Sequence, residues 1–330
     1  MNWFDAHLDL AYLAVCGREM AAPPECAGGP DLPGCVTLPS LAAGNIRACL
    51  GTVFTELGGN NPASYPEGDA AAAHRAGLAQ VATYQSWADQ GLADIGFGPS
   101  PRLSIGILVE CADPISGPEE LAWWVDQGVV AIGLAWAMGG RYSGGNGKGE
   151  GITDSGRALI REMDRLKVVH DVSHLSDRAM DEIFDLVQGR IMASHSNCRE
   201  VVKTPEARAV QRHLTDKAIR QITTRGGVIG LNLYSPFLAK GGARDRRATI
   251  SEAIDHVEHI CQLAGNRRCV GLGSDMDGGF SALKLPEGIS GPADLPKLAE
   301  QLSRRGWSDD DVQAFAWDNW ARFWGIIGSE

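Results

Sequence analysis

The stretch Asn2-Trp3-Phe4-Asp5-Ala6-His7-Leu8-Asp9 opens the chain, and the fold is read outward from it. Its lead-in is short and suits a buried strand. The two-residue period of a strand puts His7 and Asp9 on the same side of the backbone. An imidazole and a carboxylate so placed can reach one metal ion. Alone, the pattern is matched as readily by a chance pair near a terminus. It gains weight because an apolar run closed by a polar group recurs along the chain.

The later runs are 46–54, 103–110, 129–136, 168–174, 191–195, 228–233 and 269–275. Helical patterns lie between most of them. One spans 69–90. Another is opened by Ser116 with Glu119 three residues on, a capping-box spacing, and is closed by Gly128. A third follows Thr153, with Leu159, Ile160, Met163 and Leu166 on the helical period. Ser176 caps a fourth, 215–225 and 251–264 are two more, and a last one starts at Ser308. Eight apolar strands, most followed by an amphipathic helix, predict an α/β fold of the (β/α)8 TIM-barrel type. Near-continuous apolar runs also fit strands buried on both faces. No repeat or linker divides the chain, so 1–330 reads as a single domain. A doubly wound open sheet also alternates strand and helix and is the runner-up.

The length of 330 residues is long for one domain in general but ordinary for such a barrel. A net charge of -11 and the lack of a basic stripe argue against nucleic acid as a partner. No run of about 18 apolar residues exists, so no membrane span is expected. Neither a signal peptide nor a lipid-anchor tail is read at the ends. The eight cysteines show no C-x-x-C spacing and read as free thiols in a reducing cytoplasm. Two loops stand out: the Gly-, Pro- and Cys-rich 17–39, and the Gly-rich 139–151, read as mobile or substrate-facing.

Polar groups close the strands: His7 and Asp9 on the first, Glu110 on the third, His174 on the fifth, His195 on the sixth and Asp275 on the eighth. In a barrel these ends converge on one mouth, where catalytic residues sit. Imidazole and carboxylate without thiolate suit Zn²⁺ or a similar divalent ion with an open coordination position. The inventory suffices for two ions if one carboxylate bridges, which is a hydrolase device. His170 is expected to face the same way as His174, deeper in the barrel, and Asp171 to face oppositely and orient a neighbour. Glu56 is a rim residue, and Asp277 either shares the face of Asp275 or belongs to a turn before Gly278-Gly279. His74, His256 and His259 lie within predicted helices and read as structural.

The segments Asp5-Ala6-His7-Leu8-Asp9, Ile107-Leu108-Val109-Glu110, Asp171-Val172-Ser173-His174, Ala193-Ser194-His195-Ser196, Gly226-Gly227-Val228-Ile229-Gly230 and Gly271-Leu272-Gly273-Ser274-Asp275-Met276-Asp277-Gly278 resemble the membrane (renal) dipeptidase family, peptidase family M19. The resemblance runs nearly end to end, to Leu285-Pro286-Glu287-Gly288 and Asp318-Asn319-Trp320-Ala321-Arg322. It implies a metallohydrolase with two zinc ions. His7 and Asp9 would hold one ion, His174 and His195 the other, and Glu110 would bridge. Asp275 would be the acid/base for the bridging water. Arg212, in Gln211-Arg212-His213-Leu214-Thr215-Asp216, would grip the substrate carboxylate with its guanidinium fork.

One departure matters. Where the family has a histidine that contacts the substrate and the developing oxyanion, this chain has Ala135-Trp136-Ala137. Trp136 keeps an N–H donor but no positive charge. Losing an oxyanion donor costs on the order of 10²–10³ in rate. The expected function is a dinuclear zinc hydrolase that cleaves a dipeptide or similar small amide next to a free carboxylate, through a metal-bridging hydroxide. Trp136 joins Arg212 as a substrate contact. The alternative is a metal-binding family member with altered or lost peptidase activity. A third reading, a barrel bridged by a carboxylated lysine, is opposed by the lack of a lysine ending the third or fourth strand. A small peptide or amide is the expected partner, with no nucleic acid and no membrane, and a homodimer is admitted.

Overall fold

The computed structural model describes residues 1–204 and 207–328. Eight parallel strands form the barrel: β1 (Trp3–Leu8), β2 (Ile46–Val53), β3 (Leu103–Val109), β4 (Val129–Gly133), β5 (Val169–Asp171), β6 (Ile191–Met192), β7 (Ile229–Leu231) and β8 (Val270–Leu272). They neighbour one another in the order β7-β8-β1-β2-β3-β4-β5-β6. A parallel bridge between Ala193 and Ile229 then joins β6 to β7 and closes the ring. Closure is what separates this fold from the open-sheet alternative. A short strand, Ala93–Ile95, adds to the start of β3.

Two apolar layers hold the ring. The inner one takes Phe4, Ala6, Ala48, Leu50, Leu108, Ala131, Val169, Met192 and Val228 from successive strands, with Trp320 and Phe323 from the C-terminal helices. The barrel interior is therefore packed, and the polar mouth sits above it. The outer layer lies between strands and helices and includes Ile105, Ile107, Val109, Ile132, Leu159, Ile183, Ile219 and Ile254. Helices α1 (Ala70–Asp89), α2 (Leu121–Asp126), α3 (Asp154–Leu166), α4 (Asp177–Leu186), α5 (Asp216–Thr224) and α6 (Ile250–Ala264) cover it. Among the described residues no helix is long and apolar enough to cross a membrane.

Thr153, Ser176, Thr215 and Ser308 each cap a helix by accepting from the backbone N–H three residues on. The expected Ser116–Glu119 box does not form. Residues Pro118–Glu120 make a 3₁₀ turn, α2 begins at Leu121, and the Ser116 N–H donates to Glu120 Oε2 at 2.8 Å. Pro118 explains the shift, because its missing N–H favours the first turn of a helix.

The largest correction concerns the fifth strand. Its ladder stops at Asp171, and His174 adopts a left-handed φ of 65°. A period of two cannot be carried through that turn. His170 and Asp171 accordingly exchange the faces expected of them. His170 points outward to Asp164 of α3, with Nε2 2.8 Å from Oδ1. Asp171 lies above Val169 on the inner face.

Candidate metal centre

Asp9 follows β1, Glu110 follows β3, His174 and His195 follow β5 and β6, and Asp275 follows β8. With His7 of β1 they meet at the mouth, all buried. Asp275, like His174, has a left-handed φ, 59°. The tight turn after β8 requires a glycine beside it. A Cβ on Gly278 would fall 2.0 Å from Asp275 Oδ1 and 2.9 Å from Asp9 Oδ2.

Three overlapping groups of potential ligands result: His7, Asp9 and Glu110; Glu110, His174 and His195; and His7, His195 and Asp275. Glu110 Oε1 lies 3.1 Å from His174 Nε2, 3.6 Å from His195 Nε2 and 3.7 Å from His7 Nε2. His7 Nε2 is 3.8 Å from Asp9 Oδ1 and 3.9 Å from Asp275 Oδ1.

The other ring nitrogens are occupied. Ser194 Oγ sits 2.7 Å from His195 Nδ1 and 3.3 Å from His7 Nδ1, and donates to Asp171 Oδ2 at 2.6 Å or to one of the rings. Asn146 Oδ1 lies 3.3 Å from His174 Nδ1. Held this way, the three Nε2 atoms aim at the carboxylates. His7 Nε2 is buried with no hydrogen-bond partner. Asp9 accepts from Thr52 Oγ1, and Asn232 Nδ2 donates to Asp275 Oδ2 at 2.8 Å.

Electrostatics point the same way. Burial pushes Asp9 up to about 6. Burial first, then the charge of Asp9, lifts Glu110 and Asp275 well above the carboxylate range. Burial holds all three imidazoles well below their ordinary value. Carboxylates that resist ionising beside imidazoles that resist protonation suit a bound cation. The orphaned His7 Nε2 and the oxygen-and-nitrogen donor set fit divalent ions of the zinc type.

A cavity of about 620 Å³ opens over this cluster. Its wall includes Trp136, Arg212, Asn146, Phe54, Tyr234 and Glu56. Trp136 is half-buried, edge-on to Phe54, and its ring centre is 6.1 Å from that of His174. Arg212 is buried, donating from Nη1 to Ser196 Oγ at 3.1 Å and from Nη2 to the His195 carbonyl at 2.7 Å. Asp277 is not a cavity group. It accepts from Cys35 N and Val36 N, both at 2.7 Å, and from Arg18, so it ties the 17–39 loop to the turn after β8. His256 and His259 make structural contacts, and His74 packs against Trp124 near the Pro114 carbonyl.

Several residues of this site escaped the sequence reading. Ser194 lies within Ala193-Ser194-His195-Ser196, yet its contacts with two histidines from different strands leave no local signal. Asn232 lies one residue past β7, and as a polar group at a strand end it could have been found. Asn146 is hidden in the Gly-rich segment.

Over residues 1–329 the sequence matches the family described as "Membrane dipeptidase (Peptidase family M19)". An "uncharacterized protein in pqqA 5′ region" of Klebsiella pneumoniae is 32% identical over 203 residues, covering 59% of this chain and 71% of that protein. An uncharacterized dipeptidase of Schizosaccharomyces pombe is 32% identical over 178 residues, 53% of this chain and only 39% of the yeast protein. A metallo peptidase from Rhodobacter sphaeroides, liganded with a phosphinate mimic of the dipeptide L-Ala-D-Ala, superposes with a TM-score of 0.80 at 24% identity, covering 99% of this chain and 98% of that one. The dipeptidase AC, a metallo peptidase of family M19, gives 0.78 at 25% identity, covering 99% and 97%. With the match running almost the whole length of a closed barrel whose mouth gathers these potential ligands, the chain belongs to the membrane dipeptidase family, peptidase family M19.

Proposed function

We propose that this chain hydrolyses a dipeptide or similar small amide next to a free carboxylate, using two divalent ions, zinc by preference. The observation that carries the reading is Glu110. One carboxylate, with Oε1 within 3.7 Å of His7, His174 and His195 Nε2, belongs to two ligand groups at once. His7 and Asp9 would hold one ion, His174 and His195 the other, and Glu110 both. When bound, such ions supply Lewis acidity and a water acidic enough to attack at neutral pH.

The residues around them do the rest. Asp275 is fixed through Oδ2 by Asn232, which leaves Oδ1 facing the cluster to take a proton and hand it to the leaving amine. Arg212, locked by Ser196 and the His195 carbonyl, presents a buried positive charge to the substrate carboxylate. Trp136 favours a second reading, a family member with altered or lost peptidase activity. It puts a large neutral indole into the cavity where the family resemblance places a histidine.

Metal analysis of the purified protein, with hydrolysis of L,L, L,D and D,D dipeptides, tests both readings. Two ions per chain and turnover are expected, with a preference for a flat or apolar group facing Trp136. Glu110→Ala should lose metal. Asp275→Asn should keep the metal and lose at least about 10² in kcat, the lower range for general acid–base groups. One ion or none in the wild type, or near-normal turnover by Asp275→Asn, would sink the mechanism. Metal without turnover that Trp136→His restores would establish the second reading.

A further inference from the structure

Attack on an amide carbonyl moves the π pair onto oxygen, and a hydrolase needs a donor already placed where that charge develops. Arg212 serves the substrate carboxylate, and its Nη atoms also donate to Ser196 Oγ and the His195 carbonyl. A donor without such a commitment comes from the Gly-rich segment. A Cβ on Gly145 would fall 1.9 Å from the Trp136 carbonyl oxygen, and one on Gly147 2.7 Å from that of Ala137. Glycine on both sides lets the backbone lie flush against the chain leaving β4. The segment read as mobile or substrate-facing is thus packed down at this point and lines the cavity, with Asn146 at the centre.

Asn146 is held twice by one histidine. Its N–H donates to the His174 carbonyl at 2.8 Å, and its Oδ1 lies 3.3 Å from His174 Nδ1. His174 Nε2 faces Glu110 at 3.1 Å, so the tautomer suited to a ligand carries its proton on Nδ1, where Oδ1 accepts it. This orients the carboxamide. Its Nδ2 has no hydrogen-bond partner among the described residues, and Asn146 lines the cavity with Glu110, His174, His195 and Asp275.

We propose that Asn146 is a further catalytic residue, donating from Nδ2 to the oxygen of the scissile carbonyl as that oxygen becomes negative. The inference rests on the hydrolytic reading above. As the water oxygen bonds to the carbonyl carbon, the C=O pair moves to oxygen and is met by Nδ2–H. When the C–N bond breaks, the pair returns to re-form the carbonyl, and the amine leaves with the proton delivered by Asp275.

The discriminating variant is Asn146→Asp, which keeps an acceptor for His174 Nδ1–H and deletes the donor. Its kcat should fall by about 10²–10³, the cost of losing an oxyanion donor, with metal content retained and KM nearly unchanged. Affinity for a phosphinate mimic of L-Ala-D-Ala, measured by calorimetry on the metal-loaded protein, should fall by a similar factor. Asn146→Ala removes donor and acceptor together and should weaken metal binding as well. If Asn146→Asp keeps wild-type kcat and phosphinate affinity while Asn146→Ala alone loses metal, Asn146 merely orients His174 and the inference is overturned. A wild type that hydrolyses no dipeptide overturns the hydrolytic reading and this inference together. An active wild type with an equally active Asn146→Asp overturns this inference alone.

Discussion

His7, His174 and His195 at the barrel mouth, and His170 and His256 behind the strands, are all buried. Burial therefore does not tell the two sets apart, but their bonding does. His256 accepts from the Cys198 N–H at Nδ1 (3.0 Å) and lies 3.2 Å from the Leu238 carbonyl at Nε2. His170 spends Nε2 on Asp164. Each mouth histidine instead has Nδ1 against a serine or asparagine and Nε2 aimed at carboxylates. An orphaned nitrogen is not enough to make a ligand. His213 has no partner at either nitrogen, yet belongs to no group of potential ligands among the described residues. A ligand histidine needs one nitrogen fixed and the other facing shared negative charge.

The largest effect expected from this contrast is a pH dependence of stability. Burial holds His256 down to about 4 from its ordinary 6.5. The folded state resists a proton that the unfolded chain accepts. The contribution of His256 is thus complete above the unfolded value and is lost as pH falls through the window from 6.5 to about 4. A shift of this size corresponds to about 3 kcal/mol over the whole window. Urea unfolding at pH 7 and pH 4.5 should show a clearly smaller pH loss in His256→Gln than in the wild type. Equal losses would mean that burial of the His256 ring does not keep it unprotonated in the fold.

Ser194→Ala probes the mouth set. Its hydroxyl is shared by His7 and His195, so its loss should weaken metal binding by about 10–100-fold while the barrel stays folded. Unchanged affinity in a competition titration would show that the Nδ1 contacts do not set the ligands. The smallest effect belongs to His170→Asn. Losing the contact with Asp164 should cost about 1 kcal/mol, with metal content unchanged. Metal loss in that variant would erase the distinction between the two sets.

The eight apolar runs were readable because strands buried on both faces demand apolar residues locally, whatever lies around them. The capping residues Thr153, Ser176 and Thr215 were readable for the same reason, since a cap acts within one helical turn. His170 and Asp171 were misplaced because the strand period was carried past the end of the ladder. Nothing near residue 171 announces that His174 turns left-handed. The Ser116 box failed because Pro118 competes for the first turn. Asn146 went unnoticed because the Gly-rich segment read as mobile or substrate-facing without any one residue standing out, whereas in the fold its glycines permit close packing.

The sequence by itself determined eight strands alternating with helices, through the spacing of apolar runs, and the inventory of imidazoles and carboxylates that close them; closure of the ring was seen only in the fold. The spacing and the inventory are local properties, set by which residue ends each run. Tertiary structure alone decided which ring nitrogen each histidine presents and that Asn146 lies against His174. Those outcomes depend on contacts between strands far apart in the chain, such as Ser194 with His7, and on left-handed turns at His174 and Asp275. No periodicity encodes them, because they arise only when the ring of strands closes.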